Sequence, residues 1–171
     1  GLNFQYYNGN LKNFCVSPRA KISFSKNRFT FWADYAQTAQ YLSLYPYFTV
    51  KTPVDIWYPL EKNMKPALCH QYSIGAEQEI QGGLTLYAGI FYKKMKHVKD
   101  FSSGLSTKYT ALTDNMITGS GHARGVEFNL ALEHRKISAR FNYTLSESKR
   151  KFAEINNGKS FFPPYDVKHN V

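Results

Sequence analysis

The chain has 171 residues, enough for one ordinary domain with its own hydrophobic core. Hydrophobic residues make up 43% and charged residues 20%, a balance that excludes an intrinsically disordered chain. The net charge is +10, and 16% of the residues are aromatic, with 13 Tyr and 13 Phe. Tyr and Phe favour β-strands, and Tyr and Trp also suit a membrane–water interface.

The positive charge does not indicate a nucleic-acid partner. Basic residues are scattered along the chain, with one tight cluster at Lys149, Arg150 and Lys151. No zinc-finger, KH or RNP1-like pattern accompanies them. We therefore expect no nucleic acid, and we expect the charge to meet anionic lipopolysaccharide or an acidic substrate.

Alternation of apolar and polar residues with a period of two runs through the chain and predicts an all-β fold. In chain order, strands are predicted near residues 1–4, 19–25, 29–36, 71–77, 84–96, 126–133 and 137–146. The last is the clearest, because Ile137, Phe141 and Leu145 share one face while Arg140 and Asn142 share the other. No segment of comparable length keeps a helical period of 3.6 residues.

The connections between these strands alternate strictly between short and long. Short connections are predicted at residues 25–27, 81–83 and 134–136, and long ones at 37–68, 97–121 and 149–165. Residues 8–18 are predicted as a shorter connection on the side of the long ones. The pattern predicts an antiparallel up-and-down meander of about seven to nine strands, with tight turns near Asn27, Gly82 and Arg135. Outer-membrane barrels have this asymmetry between their two ends.

Two classes of protein would produce such alternation, a soluble β-sandwich or small barrel and a transmembrane β-barrel. No run approaches 18 apolar residues, so no transmembrane helix is predicted, but a barrel strand needs only about ten alternating residues. The polar faces carry large charged side chains, which suit a hydrated lumen: Glu77, Glu79, Glu127, Glu133 and Arg140. The apolar faces place aromatics near strand ends, as membrane girdles do: Phe29, Tyr35, Tyr72, Tyr92 and Tyr143. The sequence therefore favours part of a large transmembrane β-barrel.

Nine short stretches, in this order and spacing, carry a resemblance to a known family. They are residues 18–24, 52–59, 63–66, 70–75, 91–96, 119–127, 143–148, 155–159 and 162–166. Together they cover nearly the whole chain and resemble the β-barrel of TonB-dependent outer-membrane receptors of the Bacteroidetes type. Such receptors have a barrel of about 22 strands filled by a plug domain. The resemblance implies that residues 1–171 are a single segment of such a barrel, without the plug and the remaining strands.

The resemblance also implies a function. A receptor of this family lies in the bacterial outer membrane, contacts its lipid and lipopolysaccharide, and imports a scarce nutrient by energy-coupled transport. The ligand would be a small molecule or an oligosaccharide, of the siderophore, haem, cobalamin or glycan class. TonB would act through a plug domain that this chain does not contain. The alternatives are a passive porin or structural membrane barrel, and next a soluble β-barrel or sandwich that binds a ligand.

The sequence offers no catalytic or metal-binding constellation. Its five histidines are isolated, no GxSxG surrounds Ser146, and the cysteines Cys15 and Cys69 form no CxxC pair. We expect no enzyme, no catalytic residue, no metal ligand and no cofactor, and we expect both thiols to be unpaired. Gly121 and Gly125 lack the lysine of a phosphate-binding loop and are interpreted as flanking the beginning of a strand.

Candidate ligand contacts lie in the long connection at residues 37–68. Its aromatic density exceeds that of an ordinary loop, and the best candidates are Tyr45, Tyr47, Phe48, Trp57 and Tyr58. Such side chains can stack on sugar rings, haem or siderophore catechols. The other interpretation is that they pack the connection against its neighbours.

Overall fold

The computed structural model describes residues 2–8, 12–45, 56–60, 64–101 and 116–171. These residues form ten β-strands, with one 3₁₀ turn at Asn156–Gly158 and no α-helix. The strands are β1 Leu2–Asn8, β2 Lys12–Lys26, β3 Phe29–Gln40, β4 Leu42–Tyr45, β5 Ile56–Pro59, β6 Ala67–Ile80, β7 Leu84–Phe101, β8 Met116–His134, β9 Ile137–Lys151 and β10 His169–Asn170. No helix in this part of the chain could cross a bilayer.

Eight strands form one antiparallel sheet in the order β1-β2-β3-β6-β7-β8-β9-β10. Each strand pairs with the one before it, except that the separate hairpin of β4 and β5 is inserted between β3 and β6. The prediction of an all-β antiparallel meander is confirmed. Within the described residues β1 and β10 do not pair with each other, so the sheet is open.

The three tight turns lie where the sequence predicts them, at one end of the sheet. Asn27 and Arg28 join β2 to β3 with φ of 50° and 62°. Two consecutive left-handed residues match the right-handed twist of the flanking strands. Gly82 and Gly83 have φ of 91° and 83°, a conformation open to glycine at no steric cost. Arg135, with φ of 51°, begins the turn between β8 and β9.

The strands run further toward the long connections than the sequence predicts. β7 has 18 residues and β8 has 19, and their ladder continues past a register shift between Lys96 and Val98. His97 and Gly121, predicted in a connection, therefore lie in strands. Gly121 and Gly125 lie inside β8 rather than at its beginning, and β2 begins at Lys12, within the predicted connection 8–18. Ladder pairing satisfies the backbone N–H and C=O groups even where alternation fades, so the strands continue.

The described residues contain few buried apolar side chains. Among them, only Leu60, Ile117 and Phe152 are buried hydrophobic residues that form a core. By contrast, Ile22 is 73% exposed and Phe24 is 67% exposed, although both lie within strand β2 and pair with β3. The sheet thus has an apolar face that no described element covers.

Candidate functional site

Cross-strand register sorts the side chains of β2 to β9 into two faces, because directly paired residues point to the same side. On one face, Ile22 pairs with Ala33, Ala33 with Ile74, Ile74 with Ile90 and Ile90 with Val126. The same row ends at Leu145, the partner of Val126. Neighbouring rows on this face include Phe31, Leu86, Phe128, Leu130 and Phe141. We call this side the apolar face. The residues of the apolar face are the ones that the alternating sequence pattern predicts to share one side of each strand.

A row of tyrosines ends the apolar face on the side of the long connections. Tyr35 pairs with Tyr72, and Tyr72 pairs with Tyr92. The row continues from Tyr92 to Arg124 and from Arg124 to Glu147. The guanidinium of Arg124 and the carboxylate of Glu147 form an ion pair, with a nitrogen and an oxygen 2.6 Å apart. The prediction of aromatics near strand ends is right for Phe29, the first residue of β3, and wrong for Tyr35, Tyr72 and Tyr92, whose strands continue well beyond them. Tyr143 lies two rows away, paired with Phe128 in the middle of the apolar face.

The opposite side of the sheet, the polar face, carries charged and amide groups. Glu127 pairs with Thr144, and Asn129 pairs with Asn142, to whose side-chain oxygen it donates a hydrogen bond. Arg140 lies on the same face, paired with Ala131. These residues are the ones that the sequence predicts for a hydrated surface.

Aromatic rings lie flat on this polar face, each over a glycine. A Cβ at Gly75 would be 2.6 Å from the Trp32 ring, and one at Gly125 would be 2.8 Å from the Phe91 ring. Tyr87 extends along its own strand over Gly89, where a Cβ would be 2.7 Å from the phenol oxygen. The Trp32 and Tyr87 rings are almost parallel, at 15°, with centroids 6.0 Å apart. The polar face therefore holds an aromatic platform between its charged groups.

At the end of β9 the chain turns onto the polar face. Phe152, 1% exposed, lies over Gly119 of β8, and its ring centroid is 6.2 Å from that of Phe161. Backbone hydrogen bonds of 2.9 Å join Arg150 and Phe161 in both directions. This fold-back places the Phe152 side chain over the polar side of β8 and pairs Phe161 with the edge of β9.

The predicted ligand contacts lie partly on the β4–β5 hairpin. Tyr45 is paired with Ile56, Trp57 with Leu44, and Tyr58 with Ser43. Trp57 is 58% exposed, so its ring is open to contact. The candidates Tyr47 and Phe48 lie outside the described residues. Three of the five candidates thus belong to one hairpin, which the structure brings together in space.

The base of this hairpin is anchored near β2. The Leu60 N–H donates to the Tyr41 carbonyl at 3.0 Å, and Leu60 is only 5% exposed. Burial raises the pKa of the Tyr41 phenol, and the neighbouring Cys15 thiol raises that pKa further. A backbone hydrogen bond therefore closes the base of the hairpin, and Tyr41 at this base lies near Cys15 of β2.

The histidines are dispersed over the sheet and bond to different partners. Nδ1 of His70 is 3.0 Å from the Tyr35 hydroxyl, and Nδ1 of His169 is 2.9 Å from the Tyr143 hydroxyl. His97 and His134 approach the backbone carbonyls of Pro66 and Gly82 instead. No group of three metal-ligating side chains occurs in the described ranges.

Sequence reasoning missed the aromatic platform and the fold-back of Phe152. A signal for the platform exists, since Gly75, Gly89 and Gly125 stand inside strands on the side that carries Trp32, Tyr87 and Phe91. A strand glycine without a turn nearby indicates a close approach by another group. For Phe152 the sequence offers no comparable signal.

Comparison of the chain with models of known families, with curated proteins and with solved structures found no match.

Proposed function

We propose that this chain forms part of the wall of a transmembrane β-barrel in a bacterial outer membrane, and that the barrel belongs to a receptor that imports a scarce nutrient. The observation that carries the proposal is the exposed apolar face, which ends at the tyrosine row. Mid-sheet side chains such as Ile74, Ile90 and Phe141 are half exposed or more. Contiguous apolar surface of this extent is rare on soluble monomers and suits contact with lipid.

The height of the apolar face fits a bilayer. From Ile80 to the tyrosine row at Tyr72, β6 advances eight residues, which is about 27 Å along the strand. The strands of such barrels tilt by roughly 35–45°, so this length corresponds to about 20 Å along the membrane normal. An outward apolar band in these barrels is about 25 Å tall. The tyrosine row then takes the place of an interfacial aromatic girdle.

The lengths of the strands support the same assignment. A tilted barrel strand crosses a bilayer with about 9–11 residues, whereas β7 and β8 have 18 and 19. Their extra residues extend beyond the tyrosine row, on the side of the long connections. Strands that project beyond the bilayer there would carry the β4–β5 hairpin and the Phe152 fold-back outward, within reach of a ligand.

The polar face and the hairpin favour a receptor over an open pore. The platform of Trp32, Tyr87 and Phe91, together with the exposed Trp57, offers aromatic surface to a ligand with flat or ring-shaped parts. An open pore would more naturally constrict its lumen with charged groups than line it with aromatic rings. The proposed ligand is a small molecule or an oligosaccharide, and TonB coupling would act through a plug domain outside this chain.

The test is uptake by cells that produce the full-length protein, compared with cells lacking it. A ferric siderophore, haem, cobalamin and a set of oligosaccharides serve as probes. We expect one of them to accumulate only in producing cells, and only while the inner-membrane energy coupler is present. Accumulation that persists without the coupler would mean a passive pore, and a protein that fails to insert into bilayers would overturn the barrel assignment.

A further inference from the structure

Two rows of basic residues lie on the same side of the sheet as the apolar face, immediately beyond the tyrosine row. In the first, His70 pairs with Lys94, Lys94 with His122, and His122 with Lys149. In the second, Lys96 pairs with Ser120, and Ser120 with Lys151. We call these the basic rows. They place four lysines on β7 and β9, with β8 between them.

The charge of these lysines is largely uncompensated. Lys94, Lys96 and Lys151 are exposed, and none of them forms an ion pair with an acid in the described part of the chain. On this side of the sheet, Glu147 forms an ion pair with Arg124 at 2.6 Å. The same carboxylate is 3.9 Å from the Lys149 ammonium. The Lys149 ammonium also lies over the Phe162 ring, 5.0 Å from its centroid. Apart from Glu147 beside Lys149, no acid of the described residues forms an ion pair with these lysines, so the basic rows present a net positive surface.

The position of the basic rows along the strands corresponds to a particular depth in a bilayer. They lie two and four residues beyond the tyrosine row, about 7 and 14 Å along the strands. With the usual strand tilt these distances become roughly 5 and 10 Å along the membrane normal. The polar headgroup region on each side of a bilayer is about 5–8 Å thick. The first row therefore lies within the headgroup region, and the second lies just outside it, where the long lysine side chains can bend back toward the headgroups.

The occupant of this surface must be both apolar and anionic, because the tyrosine row alone separates the basic rows from the apolar face on the same side of the sheet. A lipid with a phosphorylated headgroup meets both requirements with one molecule. Lys94 and Lys149 flank His122 at two strand spacings, about 9.6 Å apart. A phosphate group above β8 could thus contact a lysine of β7 on one side and a lysine of β9 on the other.

We propose that the basic rows bind the headgroup phosphates of anionic lipid in the leaflet on the side of the long connections. This inference rests on the proposed membrane barrel and adds a binding site to it. Lysines on the opposite, polar face, such as Lys93, take no part. Arg124, already held by Glu147, fixes the end of the tyrosine row instead of binding the lipid.

The test uses the full-length protein in uncharged detergent micelles, titrated with lipid A and with dephosphorylated lipid A. Native mass spectrometry counts the bound lipid and gives its dissociation constant. The variant combines Lys94→Gln, Lys96→Gln and Lys151→Gln. Each juxtamembrane lysine is worth about fivefold in affinity for anionic lipid, so the triple variant should bind phosphorylated lipid A roughly 100-fold more weakly. Binding of the dephosphorylated lipid should not change.

A matched control removes three positive charges at the opposite end of the sheet, with Lys26→Gln, Arg28→Gln and Lys136→Gln. We expect the control to keep the affinity of the parent for lipid A. Equal losses in both variants would mean a general charge effect and would overturn the site, as would unchanged binding by the first variant. If the parent inserts into vesicles yet shows no preference for phosphorylated lipid, this inference fails and the barrel stands. If the parent does not insert at all, both fail.

Discussion

The indole ring of Trp32 on β3 covers the backbone of Gly75 on β6, its direct cross-strand partner. A Cβ at Gly75 would lie 2.6 Å and 2.8 Å from two ring carbons, and 3.0 Å from the Ala88 carbonyl oxygen on the other side. The ring is held from above by the ammonium of Lys21, 5.4 Å from the ring centroid. Glycine is thus what allows a tryptophan to lie flat on the polar face.

Gly75→Ala should therefore destabilise the barrel through its contact with this ring. The added methyl group forces Trp32 to shift, and overpacking of this kind costs about 1–3 kcal/mol. Urea unfolding of the full-length protein refolded into vesicles measures the loss. The effect should be a change in the free energy of unfolding without a change in strand content.

A double-mutant cycle supplies the control, since Trp32→Leu removes the ring that the methyl group meets. In that background Gly75→Ala should cost clearly less, leaving only the contact with the Ala88 carbonyl. Additive losses in the cycle would show that the ring and the glycine are not coupled.

The assignment of the two faces predicts a difference between adjacent positions of β8. Leu130 lies on the apolar face, paired with Leu86 and Phe141, while Asn129 lies on the polar face. Leu130→Arg would place a charge in the lipid and should cost about 2–4 kcal/mol, with Asn129→Arg costing far less. Refolding of the full-length protein into vesicles in increasing urea compares the two. Equal losses of stability in the two variants would show that the apolar face does not contact lipid.

The two thiols should both react with an alkylating agent in the protein unfolded without reductant. Cys15 lies on β2 and Cys69 on β6, and β3 runs between these strands. Two strand spacings are about 9.6 Å, beyond the roughly 7 Å that separates the Cα atoms of a disulfide. A mass shift for two alkylated cysteines is expected. No shift at all would require a disulfide and a different arrangement of β2 and β6.

The sequence predicts the meander well because its two signals are local. Alternation identifies the faces of β3, β6, β7, β8 and β9, and turn residues such as Asn27 and Gly82 mark the tight end of the sheet. What it predicts poorly is where strands end on the other side. His97 and Gly121 continue a ladder whose stability comes from pairing between β7 and β8, a property of two segments that neither displays alone.

The candidate site shows the same division. The exposed Trp57 is predictable as an aromatic side chain in a long connection, because composition alone singles it out. The platform of Trp32, Tyr87 and Phe91 depends on which strand lies next to which glycine. That relation appears only once the register between β3, β6, β7 and β8 is known. The basic rows depend on register in the same way, since Lys94 and Lys149 are far apart in sequence.

Deletion of residues 45–58, the outer part of the β4–β5 hairpin, should weaken ligand binding without preventing assembly of the barrel. Leu44 and Pro59, the two ends left by the deletion, belong to the paired strands of the hairpin, so a short Gly-Ser linker can join them. Loop tips contribute little to strand pairing, so the full-length protein should still insert into the membrane. Dissociation constants of the imported nutrient, measured with purified protein, would then rise while strand content stays constant.

Within that hairpin, Trp57 offers the sharper comparison, because 58% exposure means that its loss removes little packing. Trp57→Ala should reduce affinity for the nutrient by about 1 kcal/mol, roughly fivefold in Kd, if the ring stacks on the ligand. Trp57→Phe keeps an aromatic ring and should recover most of that loss. The deletion could weaken binding while Trp57→Ala and Trp57→Phe leave it unchanged. In that case the aromatic residues of this connection pack against their neighbours. Ligand contact would then be sought first at the Trp32 and Tyr87 platform. Unchanged affinity after the deletion itself would remove the hairpin from the binding site altogether.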